Sequence, residues 1–283
     1  RVTGHHLHWA LERGAKRNDI LTPHDDTAPG RKRSQEWWQI YEAPYAEQFH
    51  STRFVTERTQ QFIKECNEHD EPWMALCSYP DPHHPFCPPA PWFDRHNPDD
   101  MLLPDSRHDS LEHAPAHLRI FQGVHPANQR DWVAPCGYGN DRLLGQAIAA
   151  TYGMIEMVDD GVGQILAQLD DLGVRDNTII VFTSDHGDML GDHGLFLKGF
   201  MHYRGTLQVP QLIDAPGMPA LRVRGLSSSI DIAPTLLELC SLAGYDGIQG
   251  RSLAPMLADA SATVRHHVLI EDDVATITAK LTP

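Results

Sequence analysis

Six consecutive residues, Thr178 to Thr183, are apolar or β-branched without alternation, which predicts a strand buried on both faces of a parallel sheet. Pro72 introduces a second such run, Trp73 to Tyr79. Glu47 to Glu65 places Phe49, Phe54, Val55, Phe62 and Ile63 near helical spacing and predicts an amphipathic helix. A longer one is predicted from Arg142 to Leu172. There Ile148, Tyr152, Ile155, Val162, Ile165 or Leu166, and Leu169 recur at steps of three and four before Gly173. Helix, glycine turn and strand in that order make one α-to-β step of a parallel sheet. Gln208 to Asp214 reads as a short strand stopped by Pro216-Gly217. Ser227 to Ala243 reads as a turn into a helix with Asp231 as N-cap, Pro234 in the first turn and a buried stripe of Leu236, Leu237, Leu239 and Cys240. Val268 to Glu271 could begin a further strand. Residues 1–14 suggest a short helix closing on Gly14, residues 18–34 a loop, and residues 94–125 an irregular excursion. The fold class is α/β: a mostly parallel central sheet flanked by helices.

The chemistry collects where the two apolar runs end, which is where open α/β sheets hold their ligands. The first run delivers Asp185, His186 and Gly187. A carboxylate and an imidazole side by side can reach one divalent cation, and Gly187 lets the chain turn sharply. Lys198 follows twelve residues after His186, beyond a glycine-rich loop that could bring an ammonium to an anionic oxygen. Taken alone, the same residues also describe a surface turn with a capping Asp and a solvated Lys. The second run ends in Pro80-Asp-Pro-His83-His84-Pro-Phe86-Cys-Pro-Pro, where the prolines stiffen the loop and fix the direction of His83. His5, His6 and His8 read as polar residues at a helix start, and Asp159 and Asp160 as a solvated helix face.

At 283 residues the chain can bury a substantial core. Hydrophobic residues make up 41% and charged residues 22%, ordinary values for a globular protein. A formal net charge of −15 argues against nucleic acid or an anionic membrane as partner. An anionic substrate therefore needs a local positive site, which a cation together with Lys198 would supply. Five Cys without C-x-x-C spacing describe neither a disulfide framework nor a zinc ribbon, and Cys77 and Cys240 read as buried thiols. No apolar stretch approaches the length of a transmembrane helix. Compartment and oligomeric state, including a homo-oligomer, are left open.

Asn177 to Lys198, with Val209-Pro210 and Pro216-Gly217 behind it, resembles the metal-binding segment of the sulfatases. That family lies in the alkaline-phosphatase-like superfamily, which also holds phosphonate monoester hydrolases. Pro82-His83-His84-Pro85-Phe86 resembles the segment whose His contacts the ester oxygen or sulfate, and Ile230 to Leu239 with Gly250-Arg-Ser-Leu253 resembles a scaffold element. The resemblance implies an alkaline-phosphatase-like domain over 1–283, irregular over 1–44, with its core at 45–270 and incomplete at both ends. It implies Asp185 and His186 as metal ligands and His83 and Lys198 as catalytic contacts to the substrate anion. The cofactor would be one divalent metal, calcium by family habit, with manganese or zinc open. The activity implied is hydrolysis of small-molecule sulfate esters, with phosphonate or phosphodiester hydrolysis, or a non-catalytic anion-binding role, as alternatives. Sulfatases also carry two further Asp ligands, a C/S-x-P-S-R segment that yields the formylglycine nucleophile, and a G-K-x-H-L segment. Cys87-Pro-Pro-Ala-Pro lacks the Ser and Arg, Cys136-Gly-Tyr lacks the proline, and Gly4-His-His-Leu-His8 lacks the Lys. The nucleophile is therefore expected upstream, and the 283 residues alone are expected to be inactive. Arg204 and Gln208 stand where many relatives place Glu and Arg.

Overall fold

A computed structural model describes residues 4–21, 32–116, 118, 140–198 and 202–270. The stretch around Cys136, most of the loop at 18–34, part of the excursion at 94–125 and the end of the expected strand at Glu271 lie outside the described residues. The chain divides into two compact units: Arg1–Arg175 with Asp188–Leu197, and Asp176–Gly187 with Lys198–Pro283.

The first unit contains α1 (His5–Glu12), α2 (Arg17–Leu21), α3 (Ser51–Glu68) and α4 (Asp141–Asp171). α4 starts where Asn140 accepts the Leu143 amide at 3.0 Å and ends before Gly173, whose φ of 68° suits a residue without a side chain. Its 31 residues extend about 46 Å. The buried face differs from the expected stripe. Leu143, Leu144, Ala147, Ile148, Ala150, Met154 and Met157 are buried, whereas Tyr152 and Ile155 are exposed. Close approach explains the choice of small residues. A Cβ on Gly145 would collide with the carbonyl oxygen of Pro98, one on Gly153 with that of Trp92, and one on Gly161 with the Thr56 hydroxyl. Trp37, Ile40, Phe86, Phe196 and Leu197 complete the core against α4. Asp159 and Asp160 are exposed, as expected of a solvated face.

α3 buries Thr52, Thr56 and Ile63, while Phe62 is 40% exposed, so part of its inward face is polar. The run Trp73 to Tyr79 is not the buried strand that its composition predicts. Trp73, Cys77 and Tyr79 are half-buried, but Met74 and Leu76 are 78% and 87% exposed, and no strand is assigned there. A run can be covered on both faces only when neighbours stand on both, and among the described residues no strand pairs with this one. Within α1, His6 is buried beside Trp9 and Phe54, its Nε2 2.7 Å from the Phe49 carbonyl oxygen. Burial pushes its pKa below the ordinary value, the nearby His50 adds to that, and the Phe49 carbonyl and Asp81 oppose it.

In the second unit β1 (Ile180–Thr183) pairs antiparallel with β2 (Gln211–Asp214), with Ile180 opposite Asp214 and Thr183 opposite Gln211. Around them lie α5 (Arg204–Leu207), α6 (Ile232–Leu239) and α7 (Ala254–Ala258). The described residues thus combine helices with one antiparallel pair, and they do not by themselves form a mostly parallel sheet. β1 is half-buried and then exposed rather than buried on both faces, since among the described residues it pairs with β2 alone. Cys77 is half-buried and Cys240 exposed, which corrects the expectation of buried thiols. The Asp231 side chain makes no capping bond to α6, contrary to its expected N-cap role. It closes a capping box with Ser228, accepts the Arg251 amide at 2.8 Å and pairs through both oxygens with the Arg265 guanidinium, all at zero exposure. A carboxylate so buried is stable only with such partners. No helix among the described residues is long and apolar enough to cross a membrane.

Gly153→Ala should destabilise the protein by about 1–3 kcal/mol, because the Trp92 backbone must move. Gly163→Ala, which meets nothing within 4 Å, should stabilise it by about 0.5–1 kcal/mol. Denaturant titration of the two variants distinguishes crowding from helix propensity. For His6, the unfolded chain takes up a proton near pH 6.5 that the folded chain resists, so stability should fall as pH drops through the window below 6.5. The drop in urea midpoint between about pH 7.5 and about pH 5.5 should be smaller in His6→Gln.

Candidate active site

β1 ends one residue before Ser184, and the chain then turns at Gly187, whose amide donates to the Thr206 carbonyl at 2.8 Å. No other residue fits there, since a Cβ on Gly187 would lie inside the Gly205 carbonyl oxygen. The turn throws Asp185 and His186 outward, with side chains 82% and 43% exposed. Oδ1 of Asp185 accepts the His186 amide at 2.8 Å and the Ser184 hydroxyl at 3.3 Å. Burial alone would raise the Asp185 pKa. The His186 amide, the His186 ring and the Ser184 hydroxyl outweigh it and hold the carboxyl below its ordinary value. It is therefore ionised at neutral pH.

His186 Nδ1 lies 2.9 Å from the Gly187 carbonyl oxygen. A carbonyl only accepts, so Nδ1 carries a proton, and in the neutral ring the lone pair is then on Nε2. Nε2 stands 3.5 Å from Asp185 Oδ2. Two neighbouring ligands of one divalent ion, each about 2.1–2.5 Å from it, lie about 3.0–3.5 Å apart, so the donor set fits a cation. Among the described residues no group of three or more His, Cys, Asp or Glu is gathered for a metal.

Lys198 is a half-buried residue of the same unit. Arg204 and Gln208, the departures noted in the sequence, hydrogen-bond to each other along α5. His83 belongs to the first unit, exposed on its proline-rich loop. Its ring stacks on His84 at 4.1 Å, and Nδ1 lies 2.5 Å from the His84 carbonyl oxygen, which again leaves Nε2 outward. Phe86 anchors one end of this loop in the core, with its amide on the Gln39 carbonyl at 2.7 Å. Asp81 anchors the other end through the Thr52 hydroxyl at 2.5 Å. Sequence reasoning passed over Asp81 and Thr52. The signal was present as threonines on the inward face of an otherwise amphipathic helix.

A carboxylate and an imidazole thus stand side by side just past a strand end, on a mixed helix-and-sheet scaffold. The family model described as Sulfatase matches residues 4–242. The chain belongs to the sulfatase family. An arylsulfatase of Clostridium perfringens (strain 13 / Type A) is 30% identical over 233 residues, which cover 79% of this chain and 45% of the relative. The multifunctional alkaline phosphatase superfamily protein PehA of Trinickia caryophylli is 32% identical over 226 residues, covering 75% of this chain and 42% of the relative. The phosphonate monoester hydrolase of Agrobacterium radiobacter superposes with a TM-score of 0.73 at 28% identity, over 89% of this chain and 50% of that one. The chain spans about half the length of the relatives it matches.

Proposed function

We propose that the complete protein hydrolyses small-molecule sulfate esters, with Asp185 and His186 holding a divalent cation. The observation that carries this reading is the 3.5 Å separation of Asp185 Oδ2 from a His186 Nε2 whose other nitrogen is tied to a carbonyl. A bound cation would act there as a Lewis acid, drawing charge from an oxygen of the transferring group. Calcium is the favoured ion by its taste for oxygen, and the imidazole ligand keeps manganese and zinc in play. Asp185 contributes negative charge, its carboxyl held below the ordinary carboxylate value by the His186 amide and ring and the Ser184 hydroxyl against the effect of burial. His186 keeps a lone pair directed outward. Lys198 is assigned to the substrate anion, where its ammonium offsets charge that grows in the transition state. His83 is assigned to the ester oxygen through Nε2. The nucleophile, a formylglycine, and the remaining ligands are assigned to sequence outside these residues, together with the rest of a mostly parallel sheet.

The second reading is phosphonate monoester hydrolysis, favoured by the structural likeness to the Agrobacterium radiobacter enzyme. Relative turnover of 4-nitrophenyl sulfate and 4-nitrophenyl phenylphosphonate by the complete protein separates the two. Faster sulfate turnover supports the first reading, and faster phosphonate turnover replaces it. Asp185→Ala should lower kcat/KM for the preferred ester at least about a hundredfold. Asp159→Ala, on the exposed face of α4, should leave it unchanged. Equal effects of the two variants would remove the cation site from the account.

A further inference from the structure

Asp81 lies two residues before His83, yet its side chain is only 9% exposed. Carboxylates are rarely buried to that degree without a partner that fixes them. The Thr52 hydroxyl donates to Oδ2 at 2.5 Å, and Nδ1 of His50, itself 3% exposed, stands 3.5 Å from the same oxygen. His50 is the N-cap of α3, its Nδ1 accepting the Thr52 amide at 3.2 Å. The carboxylate thus sits at the helix end whose partial charge favours an anion.

One turn further along α3, Thr56 gives its proton to the Thr52 carbonyl at 2.9 Å, so the Tyr79 hydroxyl donates to Thr56 Oγ1 at 3.0 Å. Residues 79 and 81 of the incoming segment therefore meet residues 56 and 52 of the helix. The register works because two extended residues advance about 6.6 Å and four helical residues about 6 Å. These side-chain pins matter because, among the described residues, no backbone hydrogen bond ties 73–79 to a neighbouring strand. Beyond Asp81, Pro82 fixes its own φ and the His83 amide donates to the Pro80 carbonyl at 3.1 Å. A rotation at Asp81 is therefore passed on to the His83 ring.

Resting on the assignment of His83 to the substrate, we propose that Asp81, locked to Thr52, is a positioning residue that sets the direction and tautomer of His83. It touches no substrate itself. Freeing the carboxylate would let the loop swing, and a misplacement of about 1 Å costs about a hundredfold in rate.

The test is made on the complete protein with Asp81→Asn, Thr52→Val and Thr52→Ser, each alone and combined with His83→Ala. Histidine side-chain ¹⁵N NMR should show His83 protonated at Nδ1 in the wild type. That signature should give way to an averaged one in Asp81→Asn and Thr52→Val, and persist in Thr52→Ser, which keeps the hydroxyl. Turnover of 4-nitrophenyl sulfate should fall about 10- to 100-fold in kcat, with little change in KM, in the first two variants only. In the His83→Ala background these losses should vanish, because there is no longer a ring to position. An unchanged His83 signature, or losses that persist undiminished beside His83→Ala, overturns the proposal. So does loss of the fold in both Asp81→Asn and Thr52→Val, which would give the pair to folding. An inactive wild type or a harmless His83→Ala overturns the hydrolase assignment instead, and the NMR signature then decides on Asp81 by itself.

Discussion

The contact on which the candidate site depends is the passage of Gly187 against the Gly205 carbonyl, too tight for any side chain. A β-strand would carry successive side chains to opposite faces. By leaving the pleat there, with the Gly187 amide on the Thr206 carbonyl, the chain brings Asp185 and His186 to one side instead. The same carbonyl-rich turn selects the imidazole tautomer, because the Gly187 oxygen takes the Nδ1 proton. The local backbone path and the Nδ1 contact of His186 thus both involve one glycine.

Each unit secures its elements in a different way. The first unit relies on close approach: α4 meets the backbone at Pro98 and Trp92 through Gly145 and Gly153, and the apolar core fills in around these contacts. Polar pins from α3 hold what the core leaves out, the segment leading to His83. In the second unit the Asp231 carboxylate joins the 228–231 turn, Arg251 and Arg265. Breaking such a buried pair is costly even where its formation brings little net stability.

The neighbouring placement of Asp185 and His186 was legible in the sequence, and much of the burial was not. Asp185-His186-Gly187 stands out because adjacent residues at a strand end need no tertiary information to be neighbours. The extent of α4 was legible for a similar reason, since its apolar period begins near Arg142 and stops at Gly173. Its inward face was read only in part: Ile148 and Leu169 are buried as expected, Tyr152 and Ile155 are not. Glycine joins the large apolar residues on that face wherever another backbone comes near. Trp73 to Tyr79 and Thr178 to Thr183 have compositions suited to full burial, but burial depends on neighbours that periodicity within one run does not reveal. Asp81 was hidden by its own loop, where an acidic residue among prolines reads as a solvated turn until the helix that receives it is placed.

The central claim is that Asp185 and His186 act as one ligand pair for a divalent cation. Pulsed electron paramagnetic resonance of the complete protein loaded with Mn²⁺ tests it most directly, through the coupling of the metal electrons to imidazole nitrogen. The account predicts a single ¹⁴N coupling in the wild type that disappears in His186→Gln. A coupling that survives that substitution, or a wild type that shows none, contradicts it.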